Sequence, residues 1–250
     1  MDTKSEFLKK YSLKSSTLKK LKLNSETLSR VEKDYSSYKN RLVKPAEVIV
    51  ENLRKEEAVS SLNYRIKETS SLMKKIVTKR KRDLKEMTKT GDKGFAVRKF
   101  NEKTYKKEIA DLLGVRVLIL LKGDLMAVHE TITEWELNEN PVCYYRLGDE
   151  DFELYKKMNI QMKQHRNYYR SVHYVVKFPI EEETILCEIQ VRTISDHIFA
   201  SMDHKLFYKQ PNKDKLIKSH LNVLNRICGT TDEYCANIYS LNEKLKNKPK

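Results

Sequence analysis

Residues 184–193 read TILCEIQVRT, and the way this stretch divides decides what kind of domain the chain forms. In an extended strand, successive side chains point to opposite faces. Ile185, Cys187, Ile189 and Val191 then form one wholly apolar face, and Leu186, Glu188, Gln190 and Arg192 form the other. The first face packs on a core. The second ends in a carboxylate, an amide and a guanidinium, as in a strand that lines a cleft, although an ordinary half-solvated antiparallel strand shows the same alternation.

Just upstream, across a short turn expected around Pro179, lies NYYRSVHYVV (167–176). Read as a strand, it sets Tyr169, Ser171 and His173 on one side and Tyr168, Arg170, Val172 and Tyr174 on the other. Neither side is cleanly apolar, so something polar is expected against it. Further upstream IADLLGVRVLILL (109–121) is a β-branched and leucine-rich run suited to a central strand, with Asp111 at its lip and Arg116 inside it.

The remaining segments read as helices. Residues 24–42 have a helical period with Asn24 or Ser25 able to cap it, and Pro45 opens a further helix over 45–62. The stretch 64–82 continues in the same way, followed by a basic loop over 79–108, where twelve Lys and Arg face five acids and TGDKG supplies the glycines. Helices are expected at 124–137, at 194–209 with a stripe of Ile198, Phe199, Met202 and Leu206, and from Asn212 onward with Leu216, Leu221, Leu224 and Ile227. Residues 138–165 show no clear period. Strands set among helices predict a mixed α/β domain, a sheet flanked by helices, with helical extensions at both ends.

Composition narrows the partners. Fifty Lys and Arg against 35 Asp and Glu give a formal charge of +15, which favours polyanions such as nucleotides or nucleic acid over a neutral partner. A lysine-rich solubilising surface would give the same sum. The four cysteines lack CxxC spacing and suit reduced thiols in a cytoplasmic protein. The longest aliphatic run, VLILL at 117–121, is far too short to cross a bilayer, and no apolar signal segment opens the chain.

Several positions carry chemistry. A carboxylate at a strand lip suits Mg²⁺, which takes one or two carboxylates and completes its octahedron with water and phosphate oxygens; Asp111 and Glu188 make such a pair if their strands are neighbours. Alone, Asp111 fits a capping role equally well. Lys67, Ser71 and Lys75 recur at i, i+4 and i+8 with Arg65 leading, a cationic row that fits a polyphosphate and fits a solvated helix face too. His197 and His204 have no third ligand at fixed spacing, so a zinc site is not expected. GxxxxGK[ST], GxGxxG and GxSxG are all absent, which excludes a P-loop, a Rossmann dinucleotide site and a hydrolase nucleophile elbow.

Taken in order, RIKETSSLMKKI (65–76), DLLGVRV (111–117), NYYRSVHYVV (167–176), CEIQVRT (187–193) and FASMDHKLFYK (199–209) resemble the motifs of the RelA/SpoT-type synthetase domain, as found in small alarmone synthetases. The resemblance covers about residues 35–245. It implies a nucleotidyltransferase-like fold, with a basic helical arm over 1–34, the synthetase domain over 35–209 and a C-terminal helix over 210–250. It also implies transfer of a pyrophosphoryl group from ATP to a ribose 3′-hydroxyl with Mg²⁺. By matching motif, Arg65, Lys67, Ser71 and Lys75 would hold the ATP phosphates and Asp111 the metal. Glu188 would support the metal or take the proton of the attacking hydroxyl. Tyr169 would stack on the acceptor base, with His173, Gln190 and Arg170 beside it, and Arg116 and Arg192 would brace carboxylates or phosphates.

The family pattern NGYRS has Tyr168 here in place of glycine, so the acceptor pocket is expected to differ in shape. Some family members are toxins that modify the 3′-terminal adenosine of transfer RNA. The surplus charge, the basic arm and Lys79, Arg80, Lys81 and Arg82 fit a grip on an acceptor stem, and an antitoxin protein would then be a partner. The alternative acceptor is GDP or GTP, yielding guanosine tetra- or pentaphosphate. A catalytically silent nucleotide-binding copy of the domain is a third reading, against which the retained Asp111 and Glu188 speak.

Overall fold

The computed structural model describes residues 3–90, 100–146, 153–165, 168–180, 183–207 and 214–247. In chain order these form α1 (Thr3–Lys10), α2 (Ser15–Lys20), α3 (Ser25–Arg41), α4 (Val43–Leu53), β1 (Val59–Ile66), α5 (Thr69–Thr90), α6 (Tyr105–Glu108), β2 (Leu113–Ile119) and α7 (Leu125–Thr133). There follow β3 (Val142–Tyr145), α8 (Glu153–Lys157), β4 (Gln161–Gln164), β5 (Ser171–Ile180), β6 (Glu183–Thr193), α9 (Ile194–Phe207) and α10 (Lys215–Lys246). The strands form one six-stranded sheet in the order β1-β2-β6-β5-β3-β4. It is mixed, since β3 runs antiparallel to β5 and parallel to β4. The expected α/β class with helical ends is what the chain adopts.

Two compact units divide the chain. The first comprises Met1–Glu47, Arg65–Gly114 and Phe178–Cys187. Its core joins Leu28, Val31 and Tyr35 of α3 to Leu72, Met73 and Ile76 of α5, all fully buried. Asn24 caps α3, its side chain accepting from the Glu26 amide at 2.9 Å, as the sequence predicts. The basic arm is two short helices that bury Phe7, Tyr11, Leu18 and Leu21, with the Tyr11 hydroxyl donating to Glu32 of α3.

Three expectations change in this part of the chain. Residues 45–62 are not one helix, because α4 stops at Leu53 and Val59 begins β1. Nor do residues 64–82 form one helix: Arg65 lies in β1, Lys67 sits in the connection to α5, and only Ser71 and Lys75 share a helix face. Sheet pairing overrides a lysine-rich local pattern that suits either state. Finally, residues 79–90, expected as basic loop, complete α5, since no Gly or Pro interrupts 69–90. The remainder of the expected loop lies outside the described residues up to 99.

The second unit comprises Val48–Tyr64, Val115–Lys177 and Glu188–Lys250. Val115, Val117 and Ile119 of β2, Val128 and Ile132 of α7, and Ile189 and Val191 of β6 are buried in it. Along β6 the predicted alternation holds as far as Val191: Ile185, Cys187, Ile189 and Val191 are buried and Leu186, Glu188 and Gln190 half-buried, but Arg192, expected on the more open face, is buried too. β5 begins at Ser171 rather than Asn167, leaving Tyr168–Arg170 as a loop, and it runs through Pro179 instead of turning there. Proline's fixed φ fits extended backbone, and Pro179 is the penultimate residue of β5, beyond Ser171–His173, which pair with β3.

The last two helices bury only part of each expected stripe: Phe199, Leu206, Leu221 and Leu224 pack inward. On α9, Phe199 is buried but Ile198 and Met202 point outward, 51% and 40% exposed. On α10, Leu216 and Ile227 are also outward, while Leu221, Asn225, Cys228, Gly229 and Asp232 face inward. Phe199 packs with Leu221 and Cys228. An apolar stripe predicts the buried face only where nothing polar is needed inside, and here buried Arg170 and Asp196 need partners. None of the described helices is long and apolar enough to cross a membrane.

Candidate active site

In the first unit, the segment joining β1 to α5 assembles a cationic cluster around one carboxylate. The Lys67 amide donates to the Leu112 carbonyl at 2.9 Å, and the buried Tyr35 hydroxyl donates to the Lys67 carbonyl at 2.6 Å. Burial holds the Tyr35 phenol well above its ordinary value of 10, so it stays a donor. With its backbone held on both sides, buried Lys67 places Nζ 2.6 Å from Asp111 Oδ2. Lys75, one helical turn after Ser71, brings Nζ to 3.2 Å from the same oxygen. Ser71 stands in the first turn of the 22-residue α5, where unsatisfied N–H groups favour an anion. Arg65 is exposed on β1. Two ammonium groups on one carboxylate leave net positive charge beside a helix N-terminus.

The donor set fits Mg²⁺ delivered with a polyphosphate. One buried hard-oxygen ligand, flanked by lysines able to change partner to phosphate, matches an ion that keeps waters and substrate oxygens in its shell. No cluster of three His, Cys, Asp or Glu that would form an all-protein cage occurs among the described residues.

In the second unit, side chains from β5, β6 and the loop before β5 close a ring of polar contacts. Gln190 Nε2 donates to Glu188 Oε2 at 2.7 Å. Arg192 Nη2 donates to Gln190 Oε1 at 2.6 Å and to the Tyr169 hydroxyl at 2.7 Å. Tyr169 Oη lies 3.0 Å from His173 Nε2, and His173 Nδ1 lies 3.4 Å from Glu188 Oε1. These contacts are satisfied with hydrogen on His173 Nδ1 towards Glu188, while the hydrogen between Tyr169 and His173 can sit on either partner. Burial raises the Tyr169 phenol above its usual value, so it keeps its proton. Glu188 is thereby held by an amide and an imidazole.

Around this ring stands an aromatic cluster. Tyr144 of β3 meets His173 edge-on with centroids 4.9 Å apart, and His165 lies 5.3 Å from Tyr169. The Arg192 guanidinium lies 5.0 Å from the Tyr169 ring centroid. Burial lowers the His165 pKa, favouring a neutral ring. Tyr144 and His165 come from the stretch without a readable period, and only the β3–β5 register, with Tyr144 opposite Ser171, shows their place.

Other predicted residues have different surroundings. Arg170 turns away from the aromatic cluster: Nη1 pairs with Asp196 Oδ1 at 3.1 Å and reaches the Asn225 carbonyl at 3.4 Å. Lys79 Nζ donates to the Glu108 carbonyl at 2.7 Å, and Arg80 lies 5.9 Å from the Phe100 ring centroid, so both half-buried side chains have contacts within the protein. Lys81 and Arg82 are exposed on α5. Arg116 is half-buried on β2. Asp111 belongs to the first unit and Glu188 to the second.

Comparison with known proteins places this geometry. The family model for the region found in RelA/SpoT proteins matches residues 64–213. The GTP pyrophosphokinase YwaC of Bacillus subtilis (strain 168) is 28% identical over 114 residues, 44% of this chain and 48% of that protein. The chain thus spans about half the length of the curated relatives it matches. Among solved structures, a GTP pyrophosphokinase family protein from Streptococcus pneumoniae superposes with a TM-score of 0.58 at 19% identity, over 86% of this chain and 98% of that one. The small alarmone synthetase 1 from Bacillus subtilis bound to AMPCPP gives 0.54 at 15% identity, over 86% and 99%.

Proposed function

The chain belongs to the RelA/SpoT family, and on that premise we propose that it is a pyrophosphokinase, moving the β- and γ-phosphates of ATP as one unit to a ribose 3′-hydroxyl. The observation that carries this reading is Glu188 inside an aromatic cluster, held by Gln190 and His173. Such a carboxylate suits a base for a hydroxyl presented by a stacked nucleoside. The new bond joins the 3′-oxygen to Pβ, the bond from Pβ to the α,β-bridging oxygen breaks, and AMP leaves. The hydroxyl proton goes to Glu188.

Lys67, Lys75, Ser71 and the α5 N-terminus would bind the ATP phosphates, with Arg65 nearby in sequence. Asp111 would hold Mg²⁺, which supplies charge neutralisation on the phosphates when bound. Tyr169 and His173 would orient the acceptor. Phosphoryl transfer asks mainly for alignment and charge, and preformed lysine and aromatic clusters serve both.

For the acceptor we favour the 3′-terminal adenosine of transfer RNA, which would make the protein a translation-blocking toxin with an antitoxin partner. Exposed Lys81 and Arg82 on α5, together with the charge of +15, support it. The second reading, GDP or GTP as acceptor, is favoured by the relative named as a GTP pyrophosphokinase. Incubation with γ-labelled ATP and Mg²⁺, offering deacylated transfer RNA and GDP separately, decides between them. Label on RNA alone supports the first reading, label on the guanine nucleotide alone the second, and label on neither overturns the enzyme assignment.

A further inference from the structure

Tyr168 stands where the family pattern has glycine, and its φ is +59°, in the left-handed region that a bulky side chain adopts only under constraint. The constraint comes from α10. Asn225 is completely buried, and its Nδ2 donates to the Tyr168 carbonyl at 2.8 Å. Its Oδ1 accepts from Arg146 Nη1 at 3.3 Å, which fixes the amide the right way round. The Tyr168 amide is tied too, donating to the His165 carbonyl at 3.1 Å. One turn further along α10, a Cβ on Gly229 would lie 2.8 Å from Arg170 Nη2, so the loop's next arginine is also seated against this helix.

We infer that Asn225 is a positioning residue for acceptor use, holding the Tyr168 peptide in its left-handed conformation so that Tyr169 and Arg170 leave the loop in opposite directions. This rests on the proposed role of Tyr169 at the acceptor. Without the Asn225 bond, a tyrosine at 168 relaxes towards negative φ, and the Tyr169 hydroxyl leaves His173 and Arg192. A glycine there visits positive φ as readily as negative, so it keeps a large fraction of the correct loop with no clamp. The C-terminal helix thus compensates for a residue that the loop by itself would not tolerate.

The test is a double-mutant cycle. Asn225→Ala is expected to lower kcat/KM for the acceptor about tenfold, the effect of leaving a left-handed tyrosine, which costs about 1–2 kcal/mol, without its clamp. KM for ATP should stay within about twofold, since the lysine cluster is not involved. In a Tyr168→Gly background the same substitution should cost less than about threefold. Equal penalties in both backgrounds, or equal losses for ATP and acceptor, would overturn the inference. Hydrogen exchange provides a readout independent of turnover: Asn225→Ala should speed exchange at residues 169–172 while leaving α5 protected. Faster exchange spread over the whole chain, or none at the loop, would also count against it. If the wild type modifies no acceptor at all, the functional reading fails, and the exchange data still decide whether Asn225 holds the loop.

Discussion

Lys67 Nζ lies 2.6 Å from Asp111 Oδ2, and both side chains are about nine-tenths buried. A buried carboxylate bonded so closely is held ready for a second cation. When nucleotide and metal arrive, the lysine can turn to phosphate while the carboxylate takes the metal. Asp111→Asn is therefore expected to bind AMPCPP in the presence of EDTA at least as well as wild type, because two lysines are released. Titration calorimetry with added Mg²⁺ should show that the metal no longer strengthens binding. If Mg²⁺ still tightens binding in Asp111→Asn, the metal is held elsewhere.

Removing the lysine acts through stability as well as binding. Lys67→Met strips a buried carboxylate of its nearest partner, a change that costs on the order of 2–4 kcal/mol. Lys75, at 3.2 Å, softens the loss. A lower melting temperature together with weaker nucleotide binding is expected for Lys67→Met, and weaker binding with little change in melting for Lys75→Met, whose side chain is 40% exposed.

Glu188→Gln preserves volume and can still meet Gln190 and His173 if the ring of hydrogen bonds reverses. Melting should change little, while turnover falls roughly 100-fold or more for lack of a base. Normal turnover in Glu188→Gln would remove Glu188 from the chemistry.

Stability should depend on pH through Asp196. Burial, only partly offset by Arg170, pushes its carboxyl up from 3.8 to about 6. The folded state therefore holds this proton more tightly than the unfolded one. The stabilisation is complete below about pH 3.8 and is lost as pH rises through 6, on the order of 3 kcal/mol in all. Wild type should lose ground to Asp196→Asn between pH 4 and pH 7 in paired thermal melts. A difference in melting temperature that stays constant over that range would mean Asp196 is ionised throughout.

The basic segment separates into two kinds of residue. Lys81→Ala with Arg82→Ala should weaken modification of transfer RNA and reduce its salt slope, because both side chains are exposed. Activity on GDP, if present, should be indifferent to them. Lys79→Ala and Arg80→Ala should instead lower melting temperature, since Lys79 bonds the Glu108 carbonyl and Arg80 lies by Phe100.

The sequence by itself determined what depends on residue identity and short-range order. Alternation along 184–193 made β6 legible, including which side chains are buried as far as Val191, though not the burial of Arg192. The Asn24 cap and the class of fold followed from local patterns of the same kind, and the ordered motifs pointed to the family. Only tertiary structure decided where those side chains are used. Arg170 and His173 are three residues apart, yet one bonds Asp196 under α10 and the other faces Glu188. Lys67 was read as helical and proved to lie in the connection ahead of α5, because β1 claims the residues before it. On α10 the apolar stripe at Leu216 and Ile227 faces outward, while Asn225 and Asp232 face inward. Gly229, an isolated glycine inside a helical pattern, lies where Arg170 meets the helix. Periodicity reports which side of an element is apolar. It carries no information about a buried ion pair or a left-handed peptide supplied by distant segments, and those needs fixed the inner face of α10.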